Sequence, residues 1–513
     1  MYPTSSLSLF IRPAQACRAV VLALAMGCAA CGGSAGGRAD WPPLGKKWFD
    51  RAESSYRQGD IDDAQLAVDN ALRVMPHEPD VRLLAARVAL ARLEYERSIE
   101  LLSGLETPAA LAVRGRSYWY AGRLEEAADA LERLVADPEV RDPWARDVVH
   151  LARRGAGRKP FQMSGGMVAV TDMPQVGTSA LIVPLEVNGD PALGLIATAT
   201  PEAVVDSSGG SSEPTWISLR FGEPRAARGF SDTDHDGRIE VKDVPALAKD
   251  LSGLSRHLNA PIKVLLGVNL LRHLHPTFDF MGGQFVVRNY EPPPPPQATT
   301  VRVNYVRGGG MLLRGAFGSE ENAPTASLLV DTSLHVPLAL DEAAWKKAGV
   351  DPSTLKPVPN QPGLRHGVLP LLRLGAFEVP RVPGVDGAPI AEFEKELGMD
   401  LDGLVGSRLL AAFRVTLVDG GRTMWLEDMP SEAVMRQNRG PELPAGVEPD
   451  PEEPEQVEPP AGKPGKPGKP GKPGKKAPAK PGAAPAAGGP GSGQSSPPPG
   501  AGAGGPASHR APN

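Results

Sequence analysis

The strongest constraint on this chain is that part of it is written twice. Ile239-Glu240-Val241-Lys242-Asp243-Val244-Pro245 matches Phe377-Glu378-Val379-Pro380-Arg381-Val382-Pro383. Leu258 to Gly267 matches Leu397 to Gly406, and Thr277 falls where Thr416 does. Three matches in one order, with only a small indel between them, indicate two copies of one structural unit. In the second copy Leu328-Leu329-Val330-Asp331-Thr332-Ser333 reads as a buried strand that delivers one carboxylate to a turn. Carried back to the first copy, the same register places Leu195-Ile196-Ala197-Thr198-Ala199 opposite it, with no carboxylate.

A strand ending in two hydrophobic residues and Asp-Thr-Gly, with a later hydrophobic-hydrophobic-Gly, is the pattern of one aspartic-peptidase lobe. Asp331-Thr332-Ser333 with Leu404-Val405-Gly406 resembles it, as does the first copy with Gly267, so the region resembles the retropepsin and pepsin-like families. The resemblance implies a mainly-β bilobal domain: lobe one at 160–290, a Pro-rich linker at 291–300 and lobe two at 301–428. It implies that Thr198 and Thr332 hydrogen-bond across the lobe interface and hold the turns of Ala197 and Ser333 together. It also implies that Ala197 stands where one catalytic aspartate belongs. Aspartic peptidases need two carboxylates sharing one proton, so a site with Asp331 alone is expected to be inert and the cleft to bind peptide without cutting it. A rival candidate is Val204-Val205-Asp206-Ser207-Ser208, which offers Asp206 as a partner for Asp331. A homodimer pairing Asp331 with Asp331 of a second molecule is the other route to activity.

Upstream, residues 45–155 are helical and repetitive. Ala52, Gly59, Ala64, Ala71 and Pro76 alternate spacings of seven and five, and Tyr118 to Leu131 repeats the pattern around Gly122. These small-residue positions resemble tetratricopeptide repeats, whose paired helices approach closely. Leu93 stands where the middle copy expects glycine. The resemblance implies an all-α module that binds a peptide or protein partner.

The N-terminus carries Arg12 and Arg18, a short apolar run from Ala19 to Met26, then Gly27-Cys28-Ala29-Ala30-Cys31-Gly32. The run is too short to span a bilayer and reads as a signal-peptide core. Small residues before a cysteine resemble a bacterial lipoprotein signal over 1–31, with Cys31 or Cys28 lipidated and 32–44 a flexible tether. The expected location is therefore the bacterial cell envelope, on the membrane through a lipid anchor. All three cysteines lie in this stretch, which rules out a disulfide in the folded body.

Asp232, Asp234 and Asp236 precede Gly237 like a calcium loop, but position twelve is Asp243 rather than a bidentate glutamate. The duplication aligns Gly237 with Gly375 in an ordinary turn, so a solvated hairpin is expected and no other cofactor is indicated. Residues 429–513, with their Gly-Lys-Pro repeats, hold almost no large apolar side chains and are expected to be disordered. The net charge of −5 gives no basic field for nucleic acid.

Overall fold

The computed structural model describes residues 38–174, 180–222, 237–280, 282–359 and 361–428. The lipidation candidates Cys28 and Cys31, the acids Asp232, Asp234 and Asp236, and the Pro/Gly/Lys-rich tail lie outside these residues.

Three antiparallel helix pairs open the described chain: α1 (Pro43–Arg57) with α2 (Ile61–Val74), α3 (Pro79–Ala91) with α4 (Tyr95–Leu101), and α5 (Pro108–Tyr120) with α6 (Leu124–Val135). Helix α7 (Pro143–Arg154) closes the array. The first helix of each pair, and α7, begins on proline, which suits the first turn because its missing N–H has no intrahelical acceptor there. Asp60, Thr107 and Asp142 cap α2, α5 and α7 through side-chain oxygens. Close approach within pairs explains the small residues. Ala52, Ala64 and Ala71 are wholly buried, and a Cβ on Gly115 would run into Leu131. Gly59 and Gly122 turn between helices in the left-handed region; Leu93 makes the same turn at φ 61° as a buried non-glycine residue. That geometry costs about 1 kcal/mol or more.

The first β half comprises β1 (Gln162–Gly165), β2 (Val168–Asp172), β3 (Ile182–Val187), β4 (Asp190–Ala197), β5 (Ala203–Asp206), β6 (Thr215–Phe221), β7 (Ile239–Lys249), α8 (Ser252–Leu258), β8 (Ile262–Gly267), α9 (Val268–Leu271), β9 (Thr277–Asp279) and β10 (Gln284–Arg288). The second half runs β11 (Thr299–Val306), β12 (Gly310–Ala316), β13 (Thr325–Asp331), β14 (Leu338–Leu340), α10 (Glu342–Lys347), β15 (Lys356–Pro357), β16 (Arg365–Leu374), β17 (Phe377–Asp386), α11 (Ile390–Leu397), β18 (Gly403–Gly406), α12 (Ser407–Leu410), β19 (Phe413–Val418) and β20 (Thr423–Asp428).

The halves match strand for strand. In the first, β7-β5-β8-β4-β3-β6 closes into a ring through β6–β7. In the second, β17-β14-β18-β13-β12-β16 closes through β16–β17. Strands β1 and β15 flank β7 and β16, and the other six form one layer, β11-β20-β19-β9-β10-β2, in which each half contributes three. Thr277 and Thr416 face each other at its centre, with hydroxyls 2.8 Å apart.

The helical array does not stand apart from this β body. Leu195 and Val204 of the first half share a buried cluster with Leu111, Trp119 and Leu151 of the helices. Leu329 and Leu404 of the second half share another with Ala52, Ile61 and Val88. The neighbouring Ile196 and Val330 point instead into the β interior, as alternation along a strand requires. Helix α3 is consequently buried nearly all round. The array is packed against both halves, with Arg314–Asp60 and Arg302–Asp62 ion pairs of 2.7 Å at the seam.

Candidate functional site

The two halves meet at the ends of β4 and β13. Each of these strands runs parallel to the strand ending in the later glycine, with Ala197 beside Gly267 and Asp331 beside Gly406. Both glycines are obligatory by close approach: a Cβ on Gly267 would enter the Glu202 carbonyl oxygen, and one on Gly406 the Val336 carbonyl oxygen. The structural equivalence therefore sets Ala197 against Asp331.

One residue further on, Thr198 and Thr332 interlock. Thr332 Oγ1 accepts from the Thr198 N–H at 3.2 Å and donates to the Ile196 carbonyl at 2.9 Å. Reciprocally, Thr198 Oγ1 accepts from the Thr332 N–H at 3.0 Å and donates to the Val330 carbonyl at 2.9 Å. Both threonines are buried, so each hydroxyl satisfies backbone groups of the other half that water does not reach.

Asp331 is 7% exposed and Ala197 6%. Asp331 Oδ1 accepts from the Ser333 N–H at 2.9 Å and the Ser333 hydroxyl at 2.6 Å. Burial pushes the Asp331 carboxyl above the usual range, and the Ser333 donors only partly offset this. Ser333, where the family pattern has glycine, is thus the carboxylate's hydrogen-bond partner. At the equivalent register of the first half stands the Ala197 methyl group, which can neither hold nor share a proton.

Asp206 does not supply the second carboxylate. It sits at the end of β5, where Oδ2 pairs with Lys263 Nζ at 2.8 Å and accepts from the Ser208 hydroxyl, while Oδ1 accepts from the N–H groups of Ser208 and Leu251. Burial pushes its carboxyl up, but Lys263 and these donors outweigh it and hold it well below the carboxylate range. Asp243, the proposed closing ligand of a calcium loop, is engaged too: it pairs with Arg158 and accepts from Gln162 Nε2 at 3.1 Å.

A buried network beside the junction was not anticipated. Glu202, 1% exposed, accepts from Trp119 Nε1 at 3.1 Å, Trp144 Nε1 at 3.3 Å and Asn269 Nδ2 at 3.2 Å. Arg272 donates to Asn269 Oδ1 at 2.7 Å and to the Gly308 carbonyl at 3.0 Å. Burial raises the Glu202 carboxyl against the pull of these donors and Arg272. The network joins helices, first half and second half at one point. Only the proximity of Glu202 to the Ala197 turn hinted at it, because its partners lie 58 to 83 residues away.

No family model matches the chain, and no curated protein matches its sequence. Solved structures similar to parts of it include tetratricopeptide repeat domains and a retropepsin-like protease. The first TPR of Spaghetti (RPAP3), solved with an HSP90 peptide, shares 15% identity over 22% of this chain and 93% of its own, with a TM-score of 0.21. A retropepsin-like aspartic protease from Rickettsia conorii shares 22% over 25% of this chain and 89% of its own, at 0.19. Basic 7S globulin from soybean shares 10% over 53% of this chain and 97% of its own, at 0.36.

Proposed function

We propose that this chain is a noncatalytic binding protein of the bacterial cell envelope, built on an aspartic-peptidase-like bilobal body and carried on a lipid at Cys31 or Cys28. It holds an extended peptide or protein segment by strand pairing and does not hydrolyse it. The observation that supports this reading is the reciprocal Thr198–Thr332 bonding, one residue beyond Ala197 in one half and beyond Asp331 in the other. The framework that positions two turns is retained, while one of the two groups needed for acid–base chemistry is absent. The packed helical array adds rigidity to that body, so the ligand surface is assigned to the β halves rather than to the helices.

The test uses labelled, unfolded casein at about pH 4 to 6, where a carboxylate dyad would work. Saturable binding by fluorescence anisotropy without cleavage is expected. Pepstatin-sensitive cleavage abolished by Asp331→Asn would overturn the noncatalytic reading, and absence of saturable binding would overturn the binding role. Palmitate labelling at one cysteine is expected of the mature chain; unlabelled, soluble secretion would refute the anchor.

A further inference from the structure

We infer that the seam between the helical array and the second β half is an oxyanion-binding site, formed by Arg87 of α3, Arg116 of α5 and Arg307 of the β11–β12 turn. These side chains line a cleft of about 410 Å³, together with Tyr56 and Asp142. Three guanidinium groups meet a single carboxylate there. That carboxylate is already committed: Asp142 Oδ1 caps α7 through the Ala145 N–H at 3.0 Å, and Oδ2 takes Arg116 Nη2 at 3.1 Å. Arg116 lies over the Trp144 ring at 3.9 Å, and its buried Nη1 has no hydrogen-bond partner among the described residues. Neither the Arg87 nor the Arg307 side chain has a hydrogen bond or ion pair to any described residue.

The placement of Arg307 is enforced. Its backbone takes the left-handed region at φ 51°, a conformation that costs a non-glycine residue free energy. The next two residues are wedged: a Cβ on Gly308 would enter the Tyr120 ring, and one on Gly309 would come within 2.5 Å of Pro201. The Gly308 carbonyl is also held by Arg272. A rigid turn thus presents a cation beside two others, and Asp142, already bonded twice, is the one carboxylate among the described residues lining the cleft that offsets their mutual repulsion. Burial raises the Tyr56 phenol, against the pull of the Arg87 and Arg307 charges, and all three residues line the cleft. Planar guanidinium forks match phosphate and carboxylate oxygens alike. The ligand is therefore a compact oxyanion on a small solute, and the site exists only where the array and the second half are joined.

The experiment titrates the full chain with inorganic phosphate, and separately with succinate, by calorimetry at low salt. One saturable site is expected; phosphate or succinate as the tighter ligand identifies a phosphate-bearing or a carboxylate-bearing occupant. Arg307→Gln, a change at an exposed residue, should weaken binding roughly tenfold or more, and Lys47→Gln on the exposed face of α1 should not. No saturable heat with either ligand, or unchanged binding in Arg307→Gln, would overturn the inference.

Discussion

Replacing Thr332 by valine tests whether the crossed threonines hold the two β halves together. The substitution keeps the shape and deletes one hydroxyl. The Thr198 N–H then loses its acceptor at 3.2 Å and the Ile196 carbonyl loses its donor at 2.9 Å. Thr332 is 2% exposed, so water does not replace the missing oxygen. Each buried group left short costs about 1–3 kcal/mol, giving ~2–6 kcal/mol in all, a large share of a typical 5–15 kcal/mol stability. Thr416→Val is the internal comparison. Its hydroxyl meets Thr277 Oγ1, which keeps a second partner in Arg288 Nη1 at 2.7 Å, so that loss should stay near ~1 kcal/mol. Urea unfolding followed by tryptophan fluorescence gives both values. A loss below about 0.5 kcal/mol for Thr332→Val, or a larger loss for Thr416→Val, would refute the reasoning.

Glu202 has its folded-state pKa raised by burial, so it contributes stability that is full below 4.5 and lost as pH rises through the folded value; Glu202→Gln should therefore gain on the parent as pH rises above 4.5 in melting experiments. Asp206 is the opposite case: its folded pKa is lowered despite burial, so its stabilisation is present above 3.8 and lost as pH falls further. The stability gap between parent and Asp206→Asn, read by acid unfolding, should close in that range. The double change Ala197→Asp with Ala199→Gly should place a second carboxylate opposite Asp331, and NMR should then show two coupled titration steps where the parent shows one; a single unchanged step in a folded variant would show that the turns do not face each other.

The duplicated segments are readable because strand alternation and the hydrophobic-hydrophobic-Gly steps ending at Gly267 and Gly406 leave a local imprint, although the carbonyl oxygens that demand those glycines belong to the distant Glu202 and Val336; the hydrophobic steps before Ala197 and Asp331 likewise mark the strands. Small residues at Ala52, Ala64 and Ala71 likewise recorded helix pairing. What lay hidden was the docking of helices on β halves. Leu195 and Leu329 read as ordinary strand residues, and nothing in their neighbourhoods says that the covering layer is helical. The role of Ser333 was not legible because a hydroxyl's partner is set by the turn's shape, and that shape brings it to Asp331. The commitments of Asp206 to Lys263 and of Glu202 to Trp119 join residues far apart in the chain, which periodicity does not register.

The six-stranded layer shared by the two halves also governs how the protein can be made. Strand β9 pairs on one side with β10 and on the other with β19, so its outer edge stays open until the second half exists. Thr277 meets Thr416, 139 residues later; at roughly 5–20 residues per second of synthesis the wait is about 7–28 s. During that interval an unpaired strand edge is a template for any other extended chain. Production of the halves as separate fragments would make the exposure permanent. A chain ending at residue 290 should elute from size exclusion as an aggregate or a strand-exchanged dimer, and co-expression with residues 291–428 should return it to solution.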